Sequence, residues 1–181
     1  MKILGWASLL SLLVAGAAAP PSFAEPLAPP PVPHGDPGCL PRVSDGASEP
    51  DRDTIRAAGA KVADQMIKGL LTPRPAAPDN PNVAPDMGTL VIDGAFGGLW
   101  ARCGLTRRER SLVTLGILMA LRASGELEYH FRIARANGLT PREIDEAIYQ
   151  AAGYAGFPAA ATAREVYAKV VKQDASADKK Q

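Results

Sequence analysis

Glu126 and His130 lie four positions apart in the segment GELEYHFRIARANG, and both side chains can take part in proton transfer. On a helix this spacing places both residues on one face. A histidine beside a carboxylate has its tautomer fixed and its pKa raised, which suits a proton donor and acceptor near neutral pH. The alternative is a surface ion pair that only adds slightly to helix stability. On spacing alone this second interpretation is the commoner one, because structural ion pairs also perturb pKa values.

The helix that carries this pair should begin after Ser124 and Gly125 and end at Asn137–Gly138, a typical C-terminal stop. Its buried stripe would consist of residues at positions i, i+4 and i+7, namely Leu127, Phe131 and Ala134.

A second helix is predicted directly before it. Thr106 and Glu109 fit a capping box, which marks a helix start. From Leu112 to Leu121 the only residues that are not apolar are Thr114 and Gly116. A helix that is apolar on all sides belongs in a core or an oligomer interface, and this one is too short to span a bilayer. We therefore expect a central buried helix.

The remaining elements also follow helical patterns. Apolar residues recur at helical spacing between Asp53 and Leu71. A less regular, glycine-containing helix should lead to Trp100, which we expect to be a core residue rather than a ligand contact. A capping box at Thr140 predicts a helix to about Tyr154, and a last helix should run from about Ala159 to Lys172. No segment alternates with period two over the length of a strand, so the fold class is all-α.

The sequence of the N-terminal part predicts an export signal followed by a proline-rich arm. Residues 1–24 combine Lys2, an apolar run and small residues before Glu25, which predicts a cleaved signal peptide; an uncleaved apolar anchor is the alternative. We therefore expect an exported protein, periplasmic or secreted, with no stable membrane anchor after cleavage. Residues 25–50 are rich in proline and are predicted to form a flexible arm. Residues 51–172 would be the helical domain and 173–181 a charged, frayed tail.

Charge and cysteine content limit the partners and the crosslinks. Because Lys2 is the one charged residue before Glu25, the mature chain carries 19 basic and 19 acidic residues, which argues against a nucleic-acid partner. Cys39 and Cys103 could pair only if the arm folds back to within about 7 Å between Cα atoms. Two separate thiols are the favoured expectation.

Three segments together resemble the carboxymuconolactone decarboxylase family, and its decarboxylase branch most closely: RSLVTLGILMAL, GELEYHFRIARANGLTPREI and YAGFPAA. The resemblance covers about Gly59 to Val171 and includes a weaker segment, AFGGLWARCGLTRRERS. It implies an alkylhydroperoxidase-like bundle of about six helices that assembles as a homo-oligomer, a trimer or hexamer, with active sites near subunit boundaries. The sequence agrees, since so small a domain could hardly bury both the 112–121 helix and the alanine-rich run 159–163 alone.

The resemblance also implies roles for individual residues. His130 matches the motif histidine and would be the catalytic proton donor, with Glu126 orienting it. Arg132 matches the arginine of the H-x-R motif and would bind substrate. The YAGFP motif would supply an apolar wall through Tyr154, Phe157 and Pro158. Independently of the resemblance, Arg102 and Arg110 are alternative carboxylate anchors, although an arginine of this kind is more often a solvated surface charge.

The reaction implied is decarboxylation of a small carboxylate or lactone without a cofactor. Loss of CO₂ leaves electrons that an unsaturated lactone takes up, so the enzyme must stabilise a dienolate and deliver one proton. No metal is expected, because the chain has two histidines, one of them in the arm. A peroxidase-like redox protein is one alternative, although residues 122–129 lack the cysteine pair of that branch. A non-catalytic oligomeric binding protein is the other, since the pathway that uses this decarboxylation is cytoplasmic whereas this chain carries an export signal.

Overall fold

The computed structural model describes residues 35–41, 43, 46–68, 84 and 86–178. The predicted signal peptide and the first part of the arm lie outside these residues. Within them the chain forms six helices and a single isolated backbone bridge, so the all-α prediction is confirmed. No helix in this described part has the length and apolarity needed to cross a membrane. The helices are α1 (Arg52–Ile67), α2 (an α-helical turn, Met87–Leu90, that continues as a π-helix, Val91–Trp100), α3 (Arg107–Ala120), α4 (Ser124–Ala136), α5 (Pro141–Tyr154) and α6 (Phe157–Asp178).

Both predicted capping boxes are present and set the starts of α3 and α5. The Thr106 backbone N–H donates to Glu109 Oε2 at 2.7 Å, and the Glu109 N–H donates to Thr106 Oγ1 at 3.2 Å. Thr140 and Glu143 repeat this exchange at 2.9 and 3.3 Å. Each box satisfies two backbone N–H groups that have no partner inside the helix. Gly138, at φ +91°, follows α4 where the sequence predicts its end.

The core lies where α3, α4, α5 and α6 pack together. The rings of Phe131 and Tyr167 lie 4.9 Å apart between centroids in this core. Burying a large apolar side chain stabilises the fold by about 1.5–3 kcal/mol. Residues with no more than 1% exposure form its centre: Leu115, Met119, Leu127, Phe131, Ala134, Ile144, Ala163 and Val170.

The prediction that α3 is buried on all sides is wrong for the single chain. One face, through Leu115 and Met119, is buried in the core. On the opposite face Val113 and Ile117 are each 53% exposed, and Leu121 is 71% exposed. The three other helices of the core, α4, α5 and α6, pack against α3, and its second apolar face lies at the surface of the single chain.

The backbones of α1 and α2 lie in close contact, and this contact explains why Gly59 and Gly97 lack side chains. A Cβ atom on Gly97 would lie 2.4 Å from the carbonyl oxygen of Ile55, and one on Gly59 would lie 2.4 Å from that of Ile92. The Arg56 guanidinium adds two hydrogen bonds to the Asp93 carboxylate, at 2.9 and 2.7 Å. The irregularity predicted for this segment takes the form of a π-helix.

Cys39 and Cys103 form a disulfide with a Cα–Cα distance of 5.0 Å, so the expectation of two separate thiols is wrong. Residues 35–41 of the predicted flexible arm lie against the helices. The Leu40 N–H donates to the carbonyl of Ala101 at 2.7 Å, and the Cys103 N–H donates to the carbonyl of Leu40 at 2.9 Å. The Asp36 carboxylate accepts from the Arg107 N–H at 2.7 Å. These backbone contacts bring the two cysteines within bonding range.

Helix α6 begins at Phe157 and continues to Asp178, past the end predicted at Lys172. The first residues of the predicted frayed tail are therefore helical. The Asp174 carboxylate accepts from Arg132 Nε at 3.2 Å and from Arg135 at 3.0 Å, so α4 holds this last part of α6.

Candidate active site

His130 lies on α4, on the side next to the end of α2, and is half-buried. Its imidazole stacks on the indole of Trp100, with the ring centroids 6.4 Å apart and the planes within 18°. Trp100 is the last residue of the π-helix and is also half-buried, so it is not the fully enclosed core residue that the sequence suggested. The structure therefore pairs the candidate proton donor with an aromatic side chain 30 positions away.

Burial lowers the pKa of His130 from its ordinary value, and the negative charge of Glu126 raises it by less. The expectation of a raised pKa is therefore wrong. The two side chains share a helix face as predicted, but Glu126 is exposed, and the described residues show no hydrogen bond between them. Glu126 thus acts on His130 through its charge, weakened by solvent.

Arg132 faces α6, and its side chain is 17% exposed. Its Nε donates to Asp174 Oδ1 at 3.2 Å, and its terminal nitrogens donate to the Glu128 carbonyl and to Gln173. A substrate carboxylate would have to displace these partners. In this protomer Arg132 holds α4 to α6, and its role in substrate binding stays a prediction without a contact that supports it.

Arg102 and Arg110, the alternative carboxylate anchors, lie close together where α2 leads into α3. Arg110 donates to the Arg102 carbonyl at 2.7 Å, while its Nε is buried and has no hydrogen-bond partner among the described residues. Burial and the nearby charge of Arg102 both lower the pKa of Arg110. The Arg102 side chain is exposed and borders a cleft of 350 Å³ together with Glu49 and Ile55. An anion bound here would relieve the repulsion between the two cations.

The YAGFP residues lie at the end of α5 and the start of α6, and they are exposed. Tyr154 is 87% and Phe157 81% exposed, and Pro158 is exposed beside them. Tyr154 borders an apolar groove of 460 Å³ between α3 and α5, to which no described residue of α4 contributes. The groove is therefore separate from His130 in the protomer. Its lining consists of Leu112, Gly116, Met119, Ala120, Ala147, Gln150, Ala151, Tyr154 and Ala155.

Trp100 is the residue beside His130 that the sequence did not connect with the candidate site. It lies in the segment AFGGLWARCG, and nothing in its spacing relates it to His130. Only the packing of α2 near α4 brings the two rings together. The sequence did mark this segment as weakly similar to the family, and that similarity was the one available signal.

Comparison with known proteins finds similarity over the part of the chain that runs from α2 into α6. Residues 85–169 match the carboxymuconolactone decarboxylase family. A nitrosuccinic acid decarboxylase of Metarhizium robertsii is 43% identical over 82 residues, which are 45% of this chain and 57% of that protein. The 4-carboxymuconolactone decarboxylase of Acinetobacter baylyi is 41% identical over 87 residues, which are 48% of this chain and 65% of that protein.

Residues 85–169 of this all-α chain, slightly less than half of its length, are thus similar to the carboxymuconolactone decarboxylase family. The resemblance seen in the sequence is therefore confirmed, although the family match begins after α1. The chain matches less than two thirds of the length of either relative.

Proposed function

We propose that this protein is a cofactor-free carboxy-lyase that acts on a small carboxylate, with His130 as the proton donor. The observation that carries the proposal is the position of His130, which is half-buried and stacked on Trp100. The similarity of the chain to two relatives that are named as decarboxylases supports it. A partly dry imidazole is suited to placing one proton on a carbon atom without competition from bulk water.

The names of the relatives suggest the substrate class. In 4-carboxymuconolactone an unsaturated lactone can take up the electron pair that CO₂ leaves behind, and in nitrosuccinic acid a nitro group can do so. The C–C bond to the carboxylate breaks, CO₂ departs, and the electron pair moves into this acceptor. His130 in its imidazolium form then donates a proton to carbon and becomes neutral, and water restores the proton. We infer a carboxylate attached next to such an acceptor.

Substrate charge would help the proton donor. Burial lowers the pKa of His130, so the free protein holds this residue mostly neutral at neutral pH. A bound carboxylate near the ring favours the imidazolium. Arg102 and Arg110 are the cations that could hold a second carboxylate, and we propose them ahead of Arg132, whose guanidinium already has carboxylate partners.

The proposed enzyme is a homo-oligomer, a trimer or hexamer, in which a neighbouring protomer completes the site. Tyr154 and Phe157 are exposed, and the groove beside Tyr154 includes no residue of the helix that carries His130. The exposed apolar face of α3 supports the same proposal. Assembly would cover this face and could bring the YAGFP residues of one protomer to His130 of another.

We also propose export, to the periplasm or outside the cell, because the predicted signal peptide is followed by a chain that holds a disulfide. N-terminal sequencing of protein from the producing cell should find Glu25 first. Full-length protein confined to the cytosol would contradict export.

The function is tested with purified mature protein and two matched substrate sets: carboxylated against uncarboxylated butenolides, and nitrosuccinate against a nitroalkane without carboxylates. CO₂ release and loss of substrate absorbance are followed. His130→Ala should reduce turnover by about 10²- to 10⁴-fold, as expected for a lost general acid. His34→Ala, which removes the other histidine, is the control.

Two results would contradict the proposal. If no compound of this class turns over, the binding-protein alternative is favoured. If turnover survives in full in His130→Ala, the protein is a decarboxylase but the assigned proton donor is wrong. The redox alternative is disfavoured because residues 122–129, just before His130, contain no cysteine pair.

A further inference from the structure

We propose that Trp100 is a positioning residue for His130: its indole covers one face of the imidazole, holds the ring in its plane and keeps water from that face. The inference rests on the proposed function in one respect only, namely that the proton His130 carries is used in catalysis. The stack itself, with centroids 6.4 Å apart and planes within 18°, is a property of the fold. Aromatic rings at such distances and angles attract each other in offset stacks.

Trp100 is held by contacts on both sides of it in the chain. Three residues before it, Gly97 lies so close to α1 that a Cβ would come within 2.4 Å of the Ile55 carbonyl oxygen. Directly after it, Ala101 donates its N–H to Phe96 at 2.8 Å and accepts from Leu40 at 2.7 Å. The Cys39–Cys103 disulfide anchors the chain two residues further on. The indole is therefore presented from a backbone that has little freedom to move.

A residue that only filled the core would be enclosed on all sides. Trp100 is instead half-buried, and Leu99 next to it is 56% exposed. The one ring that stacks on Trp100 in the described part of the chain is His130. A large aromatic side chain at the protein surface, placed against the imidazole, is suited to shielding that ring.

The charged groups near His130 do not outweigh the effect of desolvation on its pKa. In the described part of the chain the charge that acts on His130 is that of Glu126, on its own helix. From α2, the carboxylate of Asp93 is paired with Arg56 of α1. Cation–π attraction would favour the imidazolium, but it weakens beyond about 6 Å from the ring centroid. Desolvation therefore dominates and lowers the pKa of His130.

The experiment compares Trp100→Phe, Trp100→Leu and Trp100→Ala with wild type, and Leu99→Ala serves as the control for loss of an apolar side chain on the same helix. The first readout is a proton NMR titration of the His130 imidazole. The chain has two histidines, so a His34→Gln background leaves the ring C–H signals of His130 as those of the one imidazole present. This readout requires no substrate.

We expect Trp100→Ala to raise the pKa of His130 above its wild-type value, since water reaches the exposed face. Trp100→Phe should keep the pKa near wild type, because a ring still covers that face. Trp100→Leu should lie between them, and Leu99→Ala should match wild type. The second readout is turnover of whichever carboxylate is a substrate. Trp100→Ala should lower kcat by about 10- to 100-fold with a smaller change in KM, as misplacement of a reacting group does.

The proposal is overturned if the folded Trp100→Ala protein titrates as wild type does. If Trp100→Ala does not fold, equal titration curves for the Leu variant, the Phe variant and wild type overturn it, since a covering ring would then be unnecessary. If wild type turns over no carboxylate, the proposed function fails while the titration still decides the role of Trp100. A titration shift with unchanged kcat would refute positioning for catalysis.

Discussion

At the scale of single residues, His130 shows how burial in the folded chain can reverse a pKa expectation drawn from sequence spacing. Glu126 four positions away predicts a raised pKa, yet burial lowers it. The i, i+4 pair is visible in the sequence, whereas Trp100 is brought to His130 by packing alone. A local pattern therefore identified the candidate proton donor but could not identify the aromatic ring that stacks on it.

The lowered pKa of His130 predicts how activity depends on pH. If the imidazolium is the donor, kcat/KM should fall as pH rises through the pKa of His130 in the free protein, below the ordinary value of about 6.5. Glu126→Gln removes the charge that raises this pKa, so its kcat/KM should begin to fall at lower pH. The measurement is kcat/KM against pH for both proteins. A Glu126→Gln profile displaced to higher pH would show that Glu126 does not stabilise the imidazolium.

Substitution of Arg132 can distinguish a structural role of this residue from a role in substrate binding. Its contacts to Asp174 and Glu128 predict that Arg132→Ala and Asp174→Ala each lower the free energy of unfolding, by about 1 kcal/mol or less, because these ion pairs are partly exposed. KM should change little in either variant. Thermal or urea unfolding and steady-state kinetics test this. A KM increase confined to Arg132→Ala would identify Arg132 as a substrate ligand after all.

At the scale of elements, helix starts and ends were largely predictable because their signals are local. The capping boxes at Thr106 and Thr140 lie within four residues of sequence, and the structure has both. The end of α6 was not predictable, because Arg132 and Arg135 of α4 hold Asp174. The π-helix was not predictable either, because the glycines of this segment indicate an irregular helix without specifying its form. Elements that end on tertiary contacts lack a local signal.

The approach of α1 to α2 makes a testable prediction about two glycines of one helix. Gly97→Ala should lower the free energy of unfolding by about 1–3 kcal/mol, because its Cβ would lie 2.4 Å from the backbone oxygen of Ile55, which cannot simply rotate away. Gly94→Ala is the matched control, since nothing lies within 4 Å of a Cβ there. Denaturant unfolding followed by circular dichroism measures both. Equal stability of the two variants would mean that the helices are not packed this closely.

At the scale of the whole molecule, the spacing of residues in the sequence could not predict two features: the disulfide and the exposed apolar face of α3. Cys39 and Cys103 are 64 positions apart, and their pairing depends on the backbone bridge between Leu40 and Arg102. For α3, an all-apolar sequence allows either a core or an interface, and a single chain of this size buries only one of its faces. The apolar pattern therefore leaves one face of α3 exposed, which the proposed assembly would cover.

The exposed face of α3 predicts an oligomer that one substitution can disrupt. Ile117 is 53% exposed between Val113 and Leu121 on that face, so Ile117→Lys would place a charge in the proposed interface. We expect wild type to form a trimer or hexamer by light scattering and Ile117→Lys to shift toward monomer. Ala168→Lys adds the same charge at an exposed position of α6 and should not change the molar mass.

Activity should follow assembly if a neighbouring protomer completes the site. Ile117→Lys monomers would then lose turnover although His130 and Trp100 lie on other helices and keep their stack, which the NMR titration can verify independently. A monomeric variant that retains full turnover would place the whole site within one protomer. A monomeric wild type would overturn the proposed oligomer itself, and the apolar face of α3 would then have to be explained by a partner of another kind.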